Sequence, residues 1–543
     1  MKLQFCGAAR AVTGSCHLLQ CDAGTFLIDC GMRQGEDTKG EYGEDRFAFD
    51  PTKIDAVFLT HAHIDHSGLI PLLAKQGFHG VVLCTEATAE LATIMLPDSA
   101  HIQEQEAEWT NRKNQRAGKP FIEPLYTMKH ALDSLGLFQS AKYADIVEFA
   151  PGVKIRFNDA GHLLGSASLE IWVEEKGAAT KLVFSGDIGR NNRPIINDPV
   201  PIHGADYLIM EGTYGDRNHE IESEEAKEKT LANVLRAGIA RGGNIVIPSF
   251  AVGRTQELLY YIKRLLKYNK VPGLERIPVY IDSPLGIEAT KVYERCAQGY
   301  YDEEALEMAK SGSPFDFPTL RVARTAEESR QINFERNSSI IISSSGMCDA
   351  GRIRHHLKHN LYRADSTILF AGYQAVGTLG RMLVDGAKSV KLFGEQIRVN
   401  ATIEQIEGFS GHAGRDELIE WARNIGGKPK RVFLVHGEEK ALESLENAIS
   451  SLGFNVEIPA LAEVYEIIPG AEGTEQVTPK QAAVPVGELK RDTGIRKQTA
   501  RIIELLDAIG QRRSPDMELK LDIMEADVKA LVEKWSNLLS ARI

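Results

Sequence analysis

The chain has 543 residues, 43% of them hydrophobic and 25% charged, with a formal net charge of -12. Taken alone, the negative balance argues against a nucleic-acid binder, since phosphate backbones demand local positive charge. No apolar run approaches the roughly 20 residues that span a bilayer, and the opening MKLQFCGAARAVTGSCHLL lacks the apolar stretch of a secretory signal. In chain order, residues 1–35 alternate short apolar runs with glycines (KLQFCGAA, SCHLLQC, GTFLIDCG) and predict strands joined by tight turns. IDAVFLTH (54–61) predicts a buried strand, SGLIPLLAKQG (67–77) a short helix stopped by glycine, and residues 86–120 a charged helix. Strands return at DIVEFAPGVKIRFNDAG, ASLEIWVEE and TKLVFSGD. From Tyr207 the rhythm becomes strand–helix alternation (DYLIMEG, GNIVIPSF, IPVYIDSP, SSIIISSSG and STILFAGY between helical segments), the mark of a parallel α/β domain. Residues 209–395 hold 25 basic and 24 acidic side chains, which leaves room for a basic face inside an acidic protein. Alternating strands resume with QIRVNATIEQIEGFSGH, then the helix RDELIEWARNIG and the strand KRVFLVHGE. The economical topology is an α/β insert (209–395) between two parts of one outer domain (1–208 and 396–468). A polar linker (469–496) and a helical extension (497–543) follow, the latter predicted to serve homodimerisation. Seven cysteines, an odd number without a CxxC pair, fit a reducing cytosol, so the predicted location is cytoplasmic.

The stretch LTHAHIDHSG (59–68) concentrates ligand-type residues at a strand end. In extended backbone His61 and His63 point to one side, while Asp65 and His66 sit at the bend into the next helix. Two neighbouring ligand sets can form there, and imidazole with carboxylate suits Zn, Mn or Fe. His162, in the glycine-flanked turn NDAGHLLGS, and Asp187, at the end of the apolar strand LVFSGD, are the further ligands expected. Asp187 is placed to bridge two ions about 3.5–4 Å apart. Asp29, in FLIDCG, has the same strand-end placement, and an orienting role is expected for it. Two such ions lower the pKa of water and neutralise charge on an acyl or phosphoryl oxygen, so hydrolysis is the expected reaction class.

THAHIDHSG, GHLLGS and FSGDIG, each after a strand and in that order, resemble the metallo-β-lactamase fold. MEGTYGDR, PSFAVGRTQELL, YIDSPLG, SSSGMCDAGR and AGYQAVGTLGR resemble the β-CASP insert of cleavage-and-polyadenylation-factor-like nucleases, and FSGHAGRDEL and FLVHGE resemble that family's late histidine motifs. The resemblance covers roughly residues 1–465. It implies an αββα sandwich carrying an inserted parallel α/β domain, and a zinc-dependent ribonuclease acting on single-stranded RNA with two Zn2+ per chain, Mn2+ or Fe2+ being alternatives. One ion would be held by His61, His63, His162 and Asp187, the other by Asp65, His66, Asp187 and His436. His412, paired with Glu211, would act as general acid, so His412, Glu211 and Asp65 are the expected catalytic groups. Protonation matters because a 3′-oxygen leaves poorly as an anion, and a neighbouring carboxylate raises an imidazole's pKa. Family members acting on DNA usually carry valine at the position of His436, so the histidine favours RNA. The same fold also hosts thioesterases, lactonases and sulfatases, which remain the competing readings. Within SSSGM, Ser345 and Gly346 suit either a phosphate site at a helix N-terminus or an ordinary tight turn. Arg352 and the following Arg354, His355, His356 and Lys358 suit either a phosphate-facing surface or a solvated helix face. Endonucleolytic and 5′-exonucleolytic action are not distinguished by these residues.

Overall fold

The apolar runs of the first and last thirds of the chain pair into two facing sheets. The computed structural model describes residues 1–34, 46–219, 223–335, 337–375, 377–406, 408–469 and 484–485. The first sheet runs, in spatial order, Val464–Glu466, Lys2–Phe5, His17–Cys21, Gly24–Ile28, Ala56–Phe58, Val81–Thr85, Phe138–Ala141. Its first pairs are antiparallel; from Gly24–Ile28 onward the pairing is parallel. The second runs Val456–Glu457, Arg431–Val435, Tyr207–Glu211, Ala178–Phe184, Ala167–Glu175, Val153–Asp159, Ile146–Ala150, Val484–Pro485.

Period-two patterning decides which side chains meet between the sheets. In Ala167–Glu175 the residues Ala167, Leu169, Ile171 and Val173 face the shared core, where they join Phe5, Phe26, Phe58, Phe157 and Phe184. Truncating a buried ring such as Phe157 to alanine would cost about 3–5 kcal/mol. The outer face of the first sheet is covered by the helices Ile70–Lys75, Glu86–Ala117 and Met128–Ser134, through residues such as Leu72, Leu96 and Ala131. The outer face of the second is covered by Arg415–Asn424 and Glu439–Ser451, through Leu418, Trp421, Leu442 and Leu445. Four layers result: helix, sheet, sheet, helix. The helix expected from Ser67 divides in two, Ile64–Ser67 and Ile70–Lys75. Pro71 falls in the first turn of the second, where a missing N–H costs nothing.

The insert is built on six parallel strands in the order Leu320–Val322, Val279–Asp282, Ile340–Ser343, Ile245–Pro248, Thr367–Ala371, Thr402–Ile406. Alternate residues bury on its two faces, Ile245, Ile247 and Ile340 on one side, Val246, Ile341 and Ile368 on the other. That is why these strands read as unbroken apolar runs. The first of those clusters also contains Ala62, Leu91, Met95 and Leu163 of the sandwich, so the insert and the sandwich share one apolar seam.

Pairing places the domain junctions differently from the sequence pattern. Tyr207–Glu211, which straddles the expected junction at 208/209, is an inner strand of the second sandwich sheet. Thr402–Ile406, expected in the returning part of the outer domain, is the edge strand of the insert sheet. A parallel strand carries the same apolar signature in either sheet, so only the partner it finds assigns it. The expected linker and helical extension lie, apart from residues 469 and 484–485, outside the described residues.

Candidate metal centre

The centre is assembled from strand ends that backbone bonds hold together. After Ala56–Phe58 the chain runs extended through His61 and turns into Ile64–Ser67. That turn is pinned from below: Ser15 N donates to Asp65 O at 2.8 Å, Cys30 N to His66 O at 2.8 Å, and Met32 N to Ile64 O at 2.9 Å. Residue 31 must be glycine there, because a Cβ would lie 1.7 Å from Asp65 O. Asp29 adopts the left-handed conformation (φ 61) and is 1% exposed. Its carboxylate accepts from Thr60 N at 2.8 Å, Thr60 Oγ1 at 3.0 Å and Ser15 Oγ at 3.1 Å, and lies 2.7 Å from His66 Nδ1. The His66 ring is thereby fixed with Nε2 turned inward. His436, just past Arg431–Val435, is also left-handed (φ 50), and its N–H donates to Ala8 O at 2.7 Å. Backbone strain of this kind collects at working sites.

The structure brings His61, His63, His162 and Asp187 into one group and Asp65, His66 and His436 into another, with the candidate ligand atoms of each group within 4.8 Å of one another. In the first, His63 Nδ1 lies 3.1 Å from His61 Nε2 and 3.2 Å from His162 Nε2. In the second, His66 Nε2 lies 3.2 Å from His436 Nε2, which is 3.6 Å from Asp65 Oδ2. Asp187 stands between them. Its Oδ2 is 3.4 Å from His61 Nε2 and 3.5 Å from His162 Nε2, and its Oδ1 is 3.3 Å from His66 Nε2 and 3.5 Å from His436 Nδ1. Tetrahedral ligands about 2.0–2.1 Å from zinc lie roughly 3.3–3.4 Å apart, close to these spacings. Asp187 Oδ1 and His162 Nδ1 are buried without a hydrogen-bond partner. A buried, unsatisfied carboxylate oxygen ringed by imidazoles is costly in a metal-free site and natural in a site for divalent cations. The donor set therefore fits divalent cations.

Electrostatics agree with the donor chemistry in the first group, whereas His66 and His436 are raised, against burial, by neighbouring carboxylates. Burial pushes His63 down to about 3 and His162 well below the usual imidazole range, favouring the neutral form that binds metal. Burial works against ionisation of Asp187 as well, yet the imidazoles of His436, His66 and His61 hold it well below the ordinary carboxylate range. For His66 the carboxylates of Asp187 and Asp29 overcome burial and raise it.

His412 sits beside this cluster on the loop that follows Thr402–Ile406. Ala413 N donates to Ile188 O at 2.8 Å, which anchors the loop to the one carrying Asp187. His412 Nδ1 faces both oxygens of Glu211 at 3.2 Å and is 3.9 Å from Asp187 Oδ2. Glu211, 1% exposed at the end of Tyr207–Glu211, also accepts from Ile188 N at 2.5 Å. Burial would lower the His412 pKa; Glu211 and Asp187 outweigh it and lift it to about 9. The His412 side chain keeps 21% exposure. It opens, with His63, Asp65 and His436, into a cleft of about 490 Å³ whose other wall is the insert.

Sequence reasoning missed two residues here. Thr213 Oγ1 lies 3.1 Å from His436 Nδ1 and donates to His436 O at 3.1 Å. Its only signal was its place in MEGTYGDR, two positions after Glu211. Arg193 Nη1 donates to His162 O at 2.7 Å and Gly411 O at 3.4 Å, and its Nη2 lies 3.5 Å from Glu257 of the insert. Nothing in the sequence marked that clamp. The proposed phosphate residues are placed less favourably. Gly346 lines the cleft, but Ser345 Oγ is turned to Ala350, donating to its O at 3.3 Å and accepting from its N at 3.4 Å. Arg352 is committed to Asp282 Oδ1 at 2.7 Å and to the carbonyls of Ala323 and Arg324 at 3.0 and 2.8 Å. His356 is wholly buried, and Lys358 pairs with Glu395 at 2.6 Å. Of the two readings left open for this helix, these contacts give the phosphate-facing one no support from Arg352, whose guanidinium is bonded to a buried aspartate.

Three family models match the chain: the metallo-beta-lactamase superfamily over residues 9–144, the Beta-Casp domain over 255–383, and the Zn-dependent metallo-hydrolase RNA specificity domain over 396–459. A protein named ribonuclease TTHA0252 from Thermus thermophilus is 35% identical over 463 residues, 85% of this chain and 99% of its own length. One named transcription termination factor FttA from Methanosarcina mazei is 31% identical over 453 residues, 82% of this chain and 68% of its own. A crystal structure of a protein of unknown function from Enterococcus faecalis shares the fold at 12% identity, with a TM-score of 0.50 over 86% of this chain and 99% of that one.

Proposed function

From the premise that the chain belongs to the β-CASP group of metallo-β-lactamase-fold hydrolases, we propose that it is a metal-dependent ribonuclease that hydrolyses phosphodiester bonds of single-stranded RNA. One observation carries this reading: His412, protonated through its contact with Glu211, stands beside the Asp187 cluster in the same cleft. His61, His63, His162 and Asp187 would hold one zinc ion, and Asp65, His66, His436 and Asp187 a second. Bound there, the ions supply Lewis acidity, lowering the pKa of attacking water and neutralising phosphoryl charge. The remaining work belongs to the chain. Glu211 holds a proton on His412 Nδ1 and keeps the imidazolium charged near neutral pH. His412 Nε2, turned away from Glu211, delivers its proton to the departing 3′-oxygen, which otherwise leaves poorly. Arg193 braces the loops of His162 and His412 against each other. The name and 35% identity of the Thermus relative, and the match to an RNA specificity domain, support RNA as substrate. Action in the cytoplasm as a homodimer completes the proposal; an odd number of cysteines without a CxxC pair suits that compartment, and among the described residues no helix is long and apolar enough to cross a membrane.

The test is a time course on single-stranded RNA labelled at either end, with wild type and His412→Ala side by side. Wild type is expected to cut, in a pattern that also reveals internal or 5′-terminal attack, and the variant to lose about a thousandfold in rate. Hydrolysis of small esters without cleavage of RNA would overturn the reading.

A further inference from the structure

Three loops of the insert end side by side over the metal centre, and two of them carry aromatic rings that the chemistry above leaves unused. Gly346 follows Ile340–Ser343, Phe250 follows Ile245–Pro248, and Tyr373 follows Thr367–Ala371. These strands are consecutive neighbours in the parallel sheet, so their carboxyl ends open on the same edge. That edge is where open parallel sheets take their ligands. Phe250 is 51% exposed and Tyr373 44%, although both line the cleft that contains His63, Asp65 and His412.

The rings are held, not adrift. A Cβ on residue 346 would come within 3.0 Å of Cδ2 and Cε2 of Phe250, so the ring rests against a residue that has no side chain. This gives Gly346 a steric purpose whichever reading of SSSGM holds. The Arg217 guanidinium carbon lies 4.7 Å from the centre of the Tyr214 ring and 5.8 Å from that of Tyr373, and the Arg217 side chain stays 48% exposed. The Arg217 guanidinium thus stands over one face of the Tyr373 ring, and 44% of the residue stays exposed. Large exposed rings next to arginine, opposite a cation-binding cluster, call for an occupant that is flat, apolar on its faces and anionic along its length. An unpaired stretch of nucleic acid has those properties; a duplex does not present its base faces, because each is covered by the next pair.

We infer that Phe250 and Tyr373 form a stacking platform for unpaired nucleobases flanking the phosphodiester at the metal centre, and that this platform supplies the preference for single-stranded over paired RNA. The inference rests on the ribonuclease reading. Stacking tolerates any base, so the platform selects strandedness and not sequence.

The experiment reads stacking apart from cleavage. Short RNA with a sulfur-substituted, slowly cleaved backbone carries 2-aminopurine at successive positions, and its fluorescence and affinity are measured with wild type, Phe250→Ala, Tyr373→Ala, the double variant, Phe250→Trp and Tyr373→Phe. Wild type is expected to quench the probe at one or two positions near the cut site. Each alanine variant is expected to lose part of that quenching and about tenfold in affinity, the aromatic replacements to retain both, and weak binding of a paired version to be unchanged throughout. Thermal melts check that these exposed substitutions leave the fold intact. Undiminished quenching and affinity in the double variant overturn the platform. Failure of wild type to bind the RNA at all overturns the ribonuclease reading beneath it, a separate result.

Discussion

Two buried clusters in this molecule use the same residue types, aspartate and histidine, and do opposite things with them. In the insert, Asp282 accepts from Arg352 Nη1 at 2.7 Å and Ser329 Oγ at 2.5 Å and lies 2.6 Å from His356 Nε2, while His356 Nδ1 lies 2.9 Å from Asn333 Oδ1. Each polar group there has its complement. In the sandwich, Asp187 has a buried oxygen that meets imidazoles without a hydrogen bond, and imidazole nitrogens face other imidazole nitrogens. Residue type does not separate a structural lock from a metal site; the completeness of hydrogen bonding does.

The sharpest break of this contrast is Asp187→Ala. Both half-sites lose their shared carboxylate, so bound metal, counted by mass spectrometry after dialysis, is expected to fall below two ions per chain and RNA cleavage by at least about a thousandfold. Full metal content with full activity would erase the distinction drawn here. Asp282→Ala should show the opposite profile. It strands Arg352 and His356 without their counter-charge, costing about 3–5 kcal/mol in urea unfolding, and leaves the metal count of the folded protein unchanged.

Smaller effects sharpen the picture. Asp29→Ala releases the His66 ring and is expected to weaken metal binding about 10–100-fold in competition with a chelator. Glu211→Gln removes the negative charge beside His412 while keeping an oxygen that can accept from Ile188 N. With its pKa held at about 9, His412 is the acid form at lower pH, and the rate of the wild type should fall as pH rises through about 9. Removing the carboxylate lowers that pKa, so the alkaline limb moves toward neutrality and the rate at pH 8 drops roughly tenfold. The linked stability has the same sign. A folded-state pKa above the unfolded value of about 6.5 favours folding in full below that value, and the contribution is lost as pH rises through about 9.

How much of this could be read from the chain depends on distance along it. His61, His63, Asp65 and His66 lie within six positions, and a strand followed by a turn suffices to gather them. His162 and Asp187 were reachable because each lies in a turn shortly after an apolar strand and the first motif needs further ligands, whereas the place of His436 in a ligand set came from the family motifs. Thr213 and Arg193 were not legible: a threonine and an arginine in loops are ordinary, and their roles exist only once loops distant in sequence have met. Arg352 stayed ambiguous for the same reason. Its positive charge was visible, whereas Asp282, which absorbs it, is 70 positions away. The strands Tyr207–Glu211 and Thr402–Ile406 show the limit for the fold, since identical patterning serves either sheet until a neighbour is found.

Arg431–Val435 enters the sandwich beside Tyr207–Glu211, after the whole insert has been made, and His436 follows it directly. Translation runs from the amino end and domains fold as they emerge. A growing polypeptide still tethered to the ribosome therefore possesses His61 through Asp187 long before it possesses His412 or His436. Assembly of the proposed centre waits on nearly the last strand of the sandwich, and a half-made copy lacks two of its imidazoles.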